Sequence, residues 1–329
     1  VTVALFRTDV RFDVTNALPA GAVQEPVHVA ATVVADPDRL VSTPYVVVAV
    51  PGGTYHRRYW DLQPPGRTGY SQAEWVAERG GVFVACDYLG GGDSGRPENG
   101  DFMTLEVCAD AAHEVLEQLR EGLAKASLVD GLPALTDPVF LGIGQSLGGF
   151  ITMIQQGKYD DYSGVAVLGA SPLLIANIPF HRSLDGLSES ERRQAVLEDN
   201  AKTAGVDELP VYHGAPRELY RGIFHVLDVP EDLFEYDVEQ CHTLINRITG
   251  VDGMTPGYAK PFADRIKTPV FLGFGDSDVS QQPHLEPTGY PASRDLTVVV
   301  IPRMAHMHNF ADTRGQLWRR LDQWMQGLR

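Results

Sequence analysis

Cysteine is scarce in this chain: three in 329 residues, at Cys86, Cys108 and Cys241. They form no Cys-x-x-Cys pair and are too scattered for a disulfide framework, so three reduced, mostly buried thiols are expected. Basic residues are scarce too. Lysine and arginine number 27 against 43 aspartate and glutamate, a formal net charge of −16. A chain of that sign lacks the clustered cations that nucleic acid or an anionic membrane surface requires. No apolar run approaches the roughly 20 residues of a membrane-spanning helix. The first residues lack the basic start and apolar core of a signal peptide, so a cytoplasmic location is the expectation. Internal repeats and low-complexity tracts are also missing, which excludes a solenoid.

What is present reads as an ordinary globular protein, 43% hydrophobic and 21% charged, long enough for one large domain or a core carrying an insertion. Stretches 2–14 and 27–34 alternate as antiparallel edge strands do. Short continuous apolar runs at 45–50, 82–86, 138–141, 164–170, 269–274 and 296–301 suit strands buried on both faces. Helical patterns separate them. One covers 71–79, with Ser71 as N-cap and Glu74 completing a capping box; a second covers 103–123, with Val107, Ala111, Val115 and Leu119 in line; a third closes the chain at 313–326. Strands alternating with helices predict an α/β fold with a mostly parallel sheet flanked by helices. From 171 to 267 the alternation stops, and the sequence is charged, helix-compatible and free of strand-like runs. The expected organisation is therefore a core over 1–170, a helical lid over 171–267, and the rest of the core over 268–329.

The chemistry centres on Gly142-Ile143-Gly144-Gln145-Ser146-Leu147-Gly148-Gly149. A strand leads in, a helix leads out, and Gly-x-Ser-x-Gly at the bend is the pattern that lifts a serine hydroxyl above a sheet. A serine needs a base to take its proton and an acid to hold that base. Downstream, strand 269–274 runs into Asp276 and Asp278, and strand 296–301 runs into His306 and His308. Two other readings are weaker. His306 and His308 have the spacing of a metal pair, but no further ligand cluster accompanies them. Gly142, Gly144 and Gly148 loosely imitate a dinucleotide turn, with Asp160 or Asp161 toward a ribose, but the spacing is too open. No metal and no cofactor is expected.

These motifs together resemble the α/β-hydrolase fold, and the likeness extends over nearly the whole chain outside the lid. The resemblance implies that Ser146 is the nucleophile, that Asp278 serves ahead of Asp276 because Gly275-x-x-Asp278 matches the family acid motif, and that His306 serves ahead of His308. Pro51-Gly52-Gly53 stands where the family has His-Gly-x; Pro51 departs from it and leaves the backbone donors intact. It implies an oxyanion hole from the backbone N–H groups of Leu147 and of Gly53 or Thr54. Tyr55 and His56 flank that loop and are candidates for a substrate entrance. The implied activity is hydrolysis of a carboxylic ester, lactone or thioester through an acyl-enzyme, on a small, mainly apolar substrate. Acyl transfer, C–C bond hydrolysis, lyase or perhydrolase chemistry, and plain ligand binding use the same scaffold.

Overall fold

The structure is a computed structural model that describes residues 5–173, 184, 186–226 and 229–328. Residues 2–4 of the first expected strand, and 174–183, 185 and 227–228 of the expected lid, lie outside the described residues. In chain order the elements are β1 (Phe6–Asp13), β2 (His28–Ala35), β3 (Tyr45–Val50), α1 (Gln72–Ala77), β4 (Val82–Cys86), α2 (Leu105–Ala124), β5 (Val139–Gln145), α3 (Leu147–Tyr159) and β6 (Gly164–Leu168). Then come α4 (Glu189–Thr203), β7 (Tyr212–His213), α5 (Arg217–Phe224), α6 (Glu231–Gln240), β8 (Ile245–Asn246), α7 (Arg247–Met254) and α8 (Lys260–Ala263). β9 (Val270–Gly275), β10 (Leu296–Ile301) and α9 (Arg314–Gln326) complete the chain.

Eight strands form one sheet in the order β1-β2-β4-β3-β5-β6-β9-β10. β2 runs antiparallel to both β1 and β4, and every pairing from β4 across to β10 is parallel. The mostly parallel α/β sheet expected from the apolar runs is therefore present. Its period of two sorts the side chains onto two cores. Val46, Val48 and Val50 of β3 join the α2 and α3 side chains on one face, while Tyr45, Val47 and Ala49 join those of α1 and α9 on the other. With both faces covered, β3 and β4 have no position left for a polar residue, which is why they read as unbroken hydrophobic runs. All three cysteines are free and buried. No helix among the described residues is long and apolar enough to cross a membrane.

The helix starts follow local chemistry. Thr104 accepts from Val107 N–H at the start of α2, and Ser188 and Glu191 close a full capping box on α4. At α1 only half of the expected box forms. Ser71 Oγ accepts from Glu74 N–H at 2.9 Å, but the Glu74 carboxylate turns away to Arg7 and Gln63. The described residues between β6 and β9 hold the helices α4 to α8, and β7 and β8 pair there as a two-residue antiparallel ribbon, too short to leave a periodic trace in sequence. Part of this segment is stitched to the body by buried polar bonds. Thr249 Oγ1 donates to Met103 C=O at 2.6 Å, Asn246 Nδ2 to Gly100 C=O at 2.9 Å, and Leu105 N–H to Asp252 at 3.1 Å.

A very close backbone approach lies where β5 turns into α3. A Cβ on Gly148 would sit 2.0 Å from Val50 O, and one on Gly144 would sit 2.2 Å from Gly148 O. Backbone meets backbone there, so no side chain can move aside. Gly148→Ala is expected to destabilise the protein by roughly 3 kcal/mol or more, or to prevent folding, as read by urea denaturation. Gly222→Ala on α5, where an added Cβ meets nothing within 4 Å, is expected to be neutral or slightly stabilising.

Candidate active site

Ser146 occupies the bend between β5 and α3 with φ 52° and ψ −117°, a region that costs a non-glycine residue about 1–3 kcal/mol and persists only where neighbours impose it. The neighbours are the two backbone approaches at Gly144 and Gly148, together with the Ser146 N–H bond to Leu168 C=O at 2.8 Å. The bend points the hydroxyl away from the helix and toward the carboxyl ends of the other strands.

Those ends deliver its partners. Ser146 Oγ lies 2.8 Å from His306 Nε2, and His306 Nδ1 lies 2.7 Å from Asp278 Oδ1. Asp278 and His306 are both buried. Of the rival residues, Asp276 is engaged elsewhere: its carboxylate accepts from Arg303 N–H at 2.9 Å and Met304 N–H at 3.2 Å, tying down the turn that leads to the histidines. His308 has a different place from the one its spacing suggested. Its Nε2 lies 2.6 Å from Asp278 Oδ2, so one carboxylate bridges two imidazoles. Gly275 N–H at 3.1 Å and Val279 N–H at 2.7 Å complete four donors on Asp278. Burial alone would raise this carboxyl, but the His308 and His306 rings and their hydrogen bonds hold it well below the ordinary carboxylate range.

Sequence reasoning missed the residues that hold the base in place. Gln145, the variable residue of Gly-x-Ser, is fully buried and donates from Nε2 to His306 C=O at 2.9 Å. His306 N–H donates to Ile223 C=O at 3.1 Å. The buried Glu286 carboxylate accepts from Ser171 Oγ at 2.7 Å and Ser280 Oγ at 2.5 Å, joining the loops that follow β6 and β9. Only Gln145 carried a signal, through its place beside Ser146.

The expected donor loop also lies here. A Cβ added to Gly52 would lie 3.2 Å from Ser146 Cβ, and one added to Gly53 would lie 3.7 Å from Leu147 Cβ. The N–H groups of Gly53 and Leu147 have no hydrogen-bond partner among the described residues. Thr54 N–H does: it donates to Tyr88 Oη at 3.0 Å, which removes it as the alternative donor. Tyr55 is a correction as well. It is 0% exposed, packed edge-on to Tyr59 with its hydroxyl donating to Asp237 at 2.6 Å, so it does not line an entrance. Its aromatic bulk serves the core. His56 is half-buried and its Nδ1 accepts from Arg58 N–H at 3.3 Å, capping a short turn of 3-10 helix. Asp161, the imagined ribose ligand, is buried at the far end of α3 from Ser146, where it meets His113 and Gln155. His113, Glu117 and Asp161 are the one group among the described residues whose polar atoms lie close enough together for a metal ion, and Glu117 there pairs with Arg120.

A family model described as the alpha/beta hydrolase family matches residues 47–317. No curated protein sequence matches. Among solved structures, a bromoperoxidase from Bacillus anthracis superposes with a TM-score of 0.62 at 17% identity, covering 97% of this chain and 100% of that one. An esterase from Exiguobacterium antarcticum gives 0.61 at 17% identity, covering 93% and 98%. A thermophilic esterase from Thermogutta terrifontis gives 0.56 at 16%, covering 98% and 99%.

Two predictions arise from the histidines. His308→Gln removes the ring that shares the Asp278 carboxylate. Turnover is expected to fall about tenfold as Asp278 loosens, which steady-state kinetics checks. His56 is pushed down to about 4 by burial and by the neighbouring Arg58 and Arg57 guanidinium groups. An unfolded histidine takes its proton below about 6.5, so between these values the unfolded chain binds more protons and stability falls as pH falls. His56→Gln is expected to flatten that decline by about 2 kcal/mol, measured by urea denaturation at pH 7 and pH 4.

Proposed function

The chain belongs to the alpha/beta hydrolase family, and from that premise we propose that it is a serine hydrolase acting on a carboxylic ester, lactone or thioester. The observation that carries the reading is the unbroken chain of contacts Ser146 Oγ–His306 Nε2 (2.8 Å) and His306 Nδ1–Asp278 Oδ1 (2.7 Å) beside two backbone N–H groups without partners among the described residues. In this reading His306 Nε2 takes the Ser146 proton as Oγ attacks the carbonyl carbon. Asp278, accepting from Nδ1–H, fixes the tautomer and stabilises the imidazolium. The carbonyl oxygen gains negative charge and meets the N–H groups of Leu147 and Gly53; each such donor is typically worth about 3–4 kcal/mol of barrier. Collapse of the tetrahedral species breaks the bond to the alcohol or thiol, which leaves with the proton held by His306. Water, deprotonated by the same histidine, then releases the acid and frees Ser146.

The helices between β6 and β9 are proposed to cover this centre as a lid over 171–267. Two apolar side chains lie beside this centre: Ile245 Cδ1 would be 3.1 Å from a Cβ on Gly53, and the Phe224 ring centroid is 5.9 Å from that of His306. Both support an apolar acyl group.

Incubation with a fluorophosphonate, followed by peptide mapping, tests the reading. One covalent adduct on Ser146 is expected, lost in Ser146→Ala and slowed at least a hundredfold in His306→Ala. Hydrolysis of p-nitrophenyl esters should disappear with it, and Ser146→Ala that still turns over would overturn the proposal. Product analysis in water against an added alcohol separates hydrolysis from acyl transfer.

A further inference from the structure

Helix α5 touches two separate parts of the candidate centre. At its first residue, Arg217 is 4% exposed and grips the donor loop: Nη1–H donates to Thr54 Oγ1 at 2.8 Å and Nη2–H to Thr54 C=O at 2.7 Å. At its last turn, Ile223 C=O accepts from His306 N–H at 3.1 Å and Phe224 C=O accepts from Met307 N–H at 2.8 Å. One short helix thus has one end on the oxyanion loop and the other on the histidine loop.

Burying a guanidinium costs several kcal/mol unless its charge is paired and its donors are bonded; here Nη1 and Nη2 are bonded and the charge is paired, while Nε has no hydrogen-bond partner among the described residues. Arg217 Nε faces Asp237 Oδ2 at 3.4 Å, and its plane lies 3.8 Å from the centre of the Tyr55 ring. Asp237 is itself fully buried, accepting from Tyr55 Oη at 2.6 Å and lying 2.8 Å from His225 Nε2. Arginine presents its donors in a rigid fork, so two bonds to one residue fix orientation as well as distance. The residue gripped is a strained one. Thr54 has φ +63° in the third place of a turn closed by Tyr55 N–H to Gly52 C=O at 3.1 Å, where glycine is the comfortable choice. Thr54 C=O also accepts from Thr243 N–H at 2.9 Å, and its own N–H is held by Tyr88. With every polar atom of Thr54 bonded, the preceding peptide is fixed with the Gly53 N–H left over.

We infer that Arg217 is a positioning residue and that α5 is a strut, setting the spacing between the Gly53 donor and the His306 base. The inference rests on the serine-hydrolase reading for its kinetic consequence, but the strut itself is a statement about two loops and is measurable without turnover. Arg217→Met should lower kcat for a p-nitrophenyl ester about a hundredfold, the scale of one displaced oxyanion donor, with KM changed less than threefold. Arg217→Lys should recover under a tenth of the lost rate, because one ammonium cannot reproduce the fork. Millimolar guanidinium should restore Arg217→Ala at least tenfold by refilling the cavity. Since unpairing Asp237 threatens folding, Thr54→Val is the milder variant: kcat should fall about tenfold there, and Thr54→Ser should stay near wild type. Hydrogen–deuterium exchange gives the independent readout. In Arg217→Met, peptides spanning 52–55 and 304–308 should both exchange faster. A folded Arg217→Met or Thr54→Val with wild-type kcat overturns the inference, as do wild-type exchange rates in both peptides. If the wild-type protein shows no Ser146-dependent turnover, the hydrolase reading fails and the exchange experiment still decides the strut.

Discussion

The candidate centre depends on one steric constraint: the backbone of α3 begins in contact with the backbone at the end of β3. A Cβ at Gly148 would sit 2.0 Å from Val50 O, so α3 approaches as closely as two peptide planes allow. That approach forces the chain to reverse within a single residue, and Ser146 takes up the bend at φ 52°. Two geometric results come from the same cause. The hydroxyl is lifted above the sheet, and the first N–H of α3, on Leu147, is left without an intrahelical partner. The Ser146 hydroxyl and the Leu147 N–H are thus placed by packing, before any partner side chain is considered. The parallel sheet then does the rest, because β3, β5, β9 and β10 all end on the same side and each ends in a loop carrying one component.

Much of this was legible in the sequence, for reasons that are local. The buried strands are short unbroken apolar runs because both faces of the sheet are covered, and the elbow is a contiguous motif because Gly144, Ser146 and Gly148, which together make the bend, lie within four positions of each other. Ser146, Asp278 and His306 each follow a recognisable strand, and the structure brings these three together. Legibility fails where a side chain's partner lies far along the chain. Thr54 and Gly53 are neighbours with similar claims on the oxyanion; only Tyr88, more than thirty residues on, separates them by taking the Thr54 N–H. Tyr55 looked like a surface aromatic because its burial comes from Asp237 and Phe224, over 160 residues away. His308 looked like a spare base and is a ligand of the acid. Arg217 gave no sign at all, since a lone arginine in a charged helical stretch ordinarily faces water.

A second theme is how sparingly charge is buried. Asp278 is wholly buried, and four donors converge on its two oxygens, which disperses the charge. Asp237 receives a guanidinium, a phenol and an imidazole. Buried carboxylates held by several groups fix geometry as much as they contribute stability. Both sit where small displacements matter most: one behind the base, the other behind the donor loop.

The polar stitching of the segment between β6 and β9 bears on how such a protein can change over time. Segments of this kind are often pictured as exchangeable modules, each bringing its own specificity to a constant core. Here the segment shares side-chain bonds with the body through Arg217, Asp252, Asn246 and Thr249. A replacement lacking these would leave Thr54 and Leu105 N–H short of partners inside the core. The segment and the loops it touches are therefore coupled, and exchanging it whole would break bonds that point changes within it would keep.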